Sequence, residues 1–157
     1  MASVGTQTTG RALRASAASM VGLLLVQFAV GIYVNVFVRI PPPPAAGGMM
    51  GAMGAMMSVM SPMVMLHAML GVLLVAAGVV TVATAAALGR RRKALTWSVA
   101  GLVFLLIAGY FGLRFLFFGQ HNADSFLMAM AWLGSLSAFL SVWLDAIRAD
   151  APAAIGR

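Results

Sequence analysis

The chain contains no cysteine and no glutamate, and its acids are only three, Asp124, Asp145 and Asp150, among 157 residues. Without cysteine there is no disulfide, no thiolate metal site, no iron–sulfur cluster and no covalently attached c-type haem. Without glutamate, and with the aspartates scattered, a catalytic scheme built on paired carboxylates lacks its parts, so the chain reads as a non-enzyme. Charge of either sign is scarce, at 8% of residues against 62% hydrophobic, and the mean hydropathy is +1.01. A soluble domain of this size needs more charge to cover its surface, so the composition describes an integral membrane protein.

The charge that is present is basic, net +7, and it sits in short clusters beside apolar runs. That placement is a topology signal and a contact for anionic lipid; it excludes a nucleic-acid partner from the reading. Residues 1–19 are polar and small, carry Arg11 and Arg14, and read as a disordered or interfacial leader. The first span covers about 20–40, close to the roughly 20 residues a helix needs to cross hydrocarbon. A basic flank ahead of it also suits a signal peptide, but the run is long for one and includes Gln27 and Asn35, so an uncleaved span is expected.

Pro41 to Pro44 stop that helix, and a Gly/Ala/Met loop over 41–62 follows. Pro62 suits the first turn of a second span at about 63–88, with Gly89 as its stop and Arg90-Arg91-Arg92-Lys93 after it. A third span runs over about 95–118. The turn 119–125 offers Asp124 or Ser125 as a helix cap, and a fourth span covers about 126–147 before a short tail at 148–157. The fold class expected is an all-α, four-transmembrane-helix bundle. Arg11, Arg14, the 90–93 cluster, Arg148 and Arg157 fall on one side, against Arg39 and Arg114 on the other. The positive-inside rule therefore puts both termini in the cytoplasm of a bacterial cell whose cytoplasmic membrane the bundle crosses. It gathers the Met-rich loop, His67, His121, Arg39 and Arg114 at the outer face.

Spacing picks out the packing faces. Gln27, Gly31 and Asn35 recur every four residues, His67, Gly71 and Gly78 line the second span, and Gly101, Ala108 and Gly112 the third. Small residues at such spacing bring helices together, and Gln and Asn within hydrocarbon serve either as interhelical hydrogen-bond donors or as markers of an interior site. The chain has two histidines. His67 is either an interfacial hydrogen-bonding group or an axial haem or copper ligand, and His121 either a solvated turn residue or a second ligand. Two such ligands at one bilayer face would hold haem b, with Arg39 and Arg114 on its propionates; snorkelling, or an Arg114–Asp124 ion pair, is the plainer role for these arginines.

Nine of the 13 methionines lie between Met49 and Met69. Met50, Met53, Met56 or Met57, Met60 and Met63 fall three or four residues apart, giving overlapping M-x-x-M elements that lead to His67, a soft donor set suited to Cu(I), or equally an adaptable apolar stripe. Gln27-Phe28-x-x-Gly31, then Asn35 and Pro41, then a loop and His67-x-x-x-Gly71-Val72-Leu73-Leu74 with a basic turn, resembles one four-helix half of the haem A synthase family over the first 95 or so residues. The resemblance implies a haem-handling or respiratory-chain setting, with His67 as the one residue carried over directly, as an axial ligand. Three readings stand: a membrane protein binding haem b or assisting respiratory oxidase and haem biogenesis, with a respiratory complex or oxidase as partner; a Cu(I)-binding protein; and a cofactor-free accessory subunit of a larger membrane complex.

Overall fold

A backbone crossing hydrocarbon must satisfy its own N–H and C=O groups, and the long apolar runs of this chain do so as helices. The computed structural model describes residues 3–39, 60–88, 92–118 and 120–150. Among them are four helices and no strand: α1 (Ser3–Phe37), α2 (Pro62–Ala87), α3 (Arg92–Phe118) and α4 (Asn122–Asp150). Each carries a stretch long and apolar enough to cross a membrane, over 10–37, 62–87, 92–118 and 122–149. The expected all-α bundle of four such helices is therefore present.

Each helix packs on its neighbours in the chain, and α1 closes the ring against α4, so α1 and α3 occupy opposite corners, as do α2 and α4. Neighbours run antiparallel, because the contacts pair Ser16 with Thr81, Gln27 with His67, and Arg114 with Asp124. The buried positions follow a three-and-four spacing. On α1 they are Gly10, Leu13, Ala17, Met20, Leu24 and Val34, with half-buried Gln27 and Gly31 completing the series. On α2 they are Val64, Leu74, Gly78, Thr81 and Ala85, with half-buried His67 and Gly71 completing the series. This is the seam of left-handed helix packing, which keeps one narrow stripe turned inward along the whole helix.

Leu13, Ala17, Ala85, Ala94 and Val142 form a core near the basic end, and Met20, Leu24, Leu74, Leu105 and Phe139 form a second toward the middle. Outside the seams the surface is apolar, with Phe37, Met69, Val72, Phe118 and Phe126 exposed, as contact with lipid tails allows.

Two boundaries differ from the sequence reading. The leader over 1–19 is helical from Ser3, and Leu13 and Ala17 are fully buried. Its alanines are strong helix formers, and its seam continues in register with that of the first span, so tertiary packing draws it into the bundle. The fourth helix begins at Asn122 and runs to Asp150, beyond both limits of the expected 126–147 span. Ser61 caps α2, its hydroxyl accepting from the Met63 N–H at 3.3 Å, and Pro62 opens the first turn as expected. The Met-rich loop from 40 to 59 and the tail from 151 lie outside the described residues.

Candidate functional site

Gln27 and His67 sit on the seams of neighbouring helices, near the end where α1 finishes and α2 begins. The Gln27 Nε2 amide donates to the His67 carbonyl at 3.0 Å and lies 3.2 Å from the imidazole Nε2. Glycine makes the approach possible on both sides. A Cβ on Gly31 would stand 3.0 Å from the His67 Cε1, and one on Gly71 would stand 3.7 Å from the Gln27 Nε2. The Q-x-x-x-G of α1 and the H-x-x-x-G of α2 thus exchange side chains, each polar group lying over the other helix's glycine.

The exchange leaves two atoms over. With the amide N–H turned to it, Nε2 acts as acceptor and the ring proton resides on Nδ1; that nitrogen and the Gln27 Oε1 are both buried without a partner. A half-turn of the amide would reverse the arrangement: Oε1 would accept from Nε2–H, and the Nδ1 lone pair would be freed, at the loss of the bond to the His67 carbonyl. A buried polar atom without a partner costs about 1–3 kcal/mol, so this pair is a place where a ligand would find binding energy.

Arg114 of α3 and Asp124 of α4 pair across the adjoining turn, Nε to Oδ1 at 3.4 Å, with Asp124 buried and Arg114 half exposed. This is the ion pair the sequence allows; because α4 starts at Asn122, Asp124 and Ser125 lie within the helix rather than at its cap. The turn carries its own closure: Gln120 adopts a φ of 48° and its N–H reaches the Phe115 carbonyl at 3.0 Å. The His121 carbonyl then accepts the N–H groups of Asp124 and Ser125 at 3.0 and 3.3 Å and starts α4. The second Asp124 oxygen, Oδ2, is buried and without a partner.

His121 and Arg39 are exposed, and so is Asn35. Eight residues at about 100° each overshoot two turns by about 80°, so a strict four-residue stripe rotates off the seam and Val34 takes the inward place. Met60 is half-buried and Met63 exposed at the start of α2, while Met50, Met53 and Met57 lie outside the described residues. Among the described residues no three His, Asp, Glu or Cys side chains gather as a metal cluster.

Two residues of α4 that pack against other helices were not singled out as candidates by the sequence reading. Trp132 of α4 donates its indole N–H to the Leu24 carbonyl at 3.1 Å and stacks on Phe28 at 4.4 Å between centroids. Met128, one turn earlier, lays its sulfur against Gly112 of α3, 3.3 Å from where a Cβ would be. Both continue the three-and-four spacing of α4, the signal that would have found them. A shallow apolar groove of about 470 Å³ between Phe104, Phe111, Leu127 and Met130 lies elsewhere on the perimeter and holds no titratable group. No family model, curated protein or solved structure matches the chain.

Proposed function

We propose that this chain is a multi-pass protein of the bacterial cytoplasmic membrane, both termini inside, that binds haem b at its His67 end and serves respiratory oxidase or haem biogenesis without catalysing a reaction. The observation that carries the reading is the buried, unpartnered Nδ1 of His67, on a ring seated in the notch of Gly31 and oriented by Gln27. An axial ligand needs a lone pair on one ring nitrogen and a fixed partner on the other; the Gln27 amide would supply that partner only when flipped so that Oε1 accepts from Nε2–H, giving up its bond to the His67 carbonyl. Haem would contribute one-electron chemistry. Of the expected propionate partners, Arg39 is exposed and therefore available, whereas Arg114 already pairs through its Nε with Asp124.

The test is the optical spectrum of the detergent-purified, haem-replete protein, oxidised and dithionite-reduced, for wild type and His67→Ala. A reduced α-band in wild type that disappears in the variant is the expected result; a featureless wild-type spectrum overturns the reading.

The accessory-subunit reading is favoured by a different observation: Gln27–His67 and Arg114–Asp124 both join one helix to the next, as fixtures of a scaffold would. It predicts co-purification with a larger membrane complex and indifference of that association to His67→Ala. Copper analysis of the same preparation addresses the Cu(I) reading.

A further inference from the structure

Contacts at two levels hold α3 and α4 in register. Arg114 pairs with Asp124 where α3 ends and α4 begins, and Phe104 lies over Gly134 ten residues farther along each helix. Between these levels runs the shallow apolar groove, walled by Phe104, Ile107 and Phe111 of α3 and by Leu127, Ala131 and Gly134 of α4. The small residues Ala131 and Gly134 leave the room, and exposed Ile107 and Leu127 open it on the lipid-facing surface. Ten helical residues rise about 15 Å, half of a hydrocarbon core about 30 Å thick. The groove therefore has the reach of one acyl chain in the leaflet at the Arg114 end.

What sets this groove apart from the rest of the apolar surface is its end. Phe104, Ile107 and Phe111 follow the three-and-four step that keeps one helix face, and the next step is Arg114. On α4, Gly134, Ala131 and Leu127 lead in the same way to Asp124. Arg114 commits its Nε to the Asp124 carboxylate, yet 45% of the arginine side chain stays exposed against 5% of the aspartate's. The pair thus presents a cation outward and keeps its anion inside. We propose that the groove is a phospholipid site: an acyl chain lies between α3 and α4, and the phosphate of the same molecule accepts from the Arg114 guanidinium. A planar guanidinium suits phosphate and the apolar walls suit the chain, so the two parts of the site match the two parts of one amphiphile. The site is separate from the His67 end of α2 and does not depend on a cofactor there.

The experiment titrates phosphatidylglycerol into the full chain in detergent and reads retained lipid by native mass spectrometry, for wild type, Arg114→Gln, Ser137→Phe and Arg148→Gln. Wild type is expected to retain one lipid molecule. Arg114→Gln weakens retention about tenfold or more, the worth of one hydrogen bond to a charged group. Ser137 is exposed and lines the groove beyond Gly134, so Ser137→Phe fills the inner end without entering the core and weakens retention as well. It decides the matter alone if Arg114→Gln fails to melt cooperatively. Arg148→Gln, at the opposite end of α4, matches wild type, and excess inorganic phosphate does not displace the lipid. Retention unchanged in Ser137→Phe, or lost equally in Arg148→Gln, overturns the site, as does a wild type that retains no lipid. Displacement by inorganic phosphate would mean a headgroup contact without the groove. A lipid-free dimer that Ser137→Phe abolishes would give the groove to a second copy of the chain, and either result overturns the proposal.

Discussion

Between α3 and α4, glycine on one helix receives an aromatic ring from the other: Phe139 lies over Gly101 and Phe104 over Gly134, at 2.8 and 2.9 Å from where a Cβ would be. Between α1 and α2 the same reciprocal device is filled by polar groups, His67 over Gly31 and Gln27 over Gly71. The aromatic version needs no partner beyond van der Waals contact, and the interface is completed by Ser135 donating to the Gly101 carbonyl at 3.0 Å. The polar version leaves Nδ1 of His67 and Oε1 of Gln27 buried and unpartnered. Two interfaces with one geometry therefore differ in what they leave over: one is closed packing, and the other keeps two buried polar atoms without partners.

The comparison is broken most directly at the aromatic interface. Gly101→Ala pushes a methyl group into the Phe139 ring and should lower stability by about 1–3 kcal/mol, seen as a fall in melting temperature in detergent. Gly109→Ala meets nothing within 4 Å and should be neutral or stabilising by up to about 1 kcal/mol. Equal behaviour of the two would show that close approach is not what holds α3 to α4.

At the polar interface the prediction turns on asymmetry. His67→Ala keeps the Gln27 bond to the carbonyl of residue 67 but empties the space the imidazole fills over Gly31 and should cost about 1–3 kcal/mol, whereas Gln27→Leu combined with His67→Phe removes all the unpaired groups together and should return to within about 1 kcal/mol of wild type. A double variant as unstable as the single one would mean that the pair stabilises the bundle and is not a reserved site. Thermal denaturation of wild type, His67→Ala and the double variant measures it.

The smallest effects concern charge. Arg114→Gln leaves the buried Asp124 carboxylate without its cation and should cost about 1–2 kcal/mol, less than a fully buried pair because Arg114 is half exposed. The Arg148–Asp145 pair, 3.8 Å apart and exposed, should tolerate Arg148→Gln with a loss below about 0.5 kcal/mol. Reversal of that order would place the important electrostatics at the basic end.

Much of this was written in local spacing. Four apolar runs, Pro62 at a helix start and the Q-x-x-x-G and H-x-x-x-G repeats are all visible in the chain, and the first two need only hydrocarbon thickness and backbone sterics to be interpreted. The extension of α1 back to Ser3 was also present, in the register of Leu13 and Ala17 with Met20 and Leu24, but small and polar residues between them masked it. Asn35 shows the opposite error, since a stripe of four-residue steps holds its face for only two turns before the helical period carries it outward.

What the sequence by itself determined is the number of membrane-length helices, the clustering of basic residues beside them, and the pairing motif on α1 and α2, because each depends on neighbours within a few turns of one chain segment. Only the tertiary structure decided that Arg114 belongs to Asp124, that His121 faces outward while Met128 faces in, and that His67 keeps one nitrogen buried and unpartnered. Those outcomes depend on the relative height and rotation of helices that are distant in sequence, which are set by the interlocking of glycines with large side chains and are recorded in no single segment.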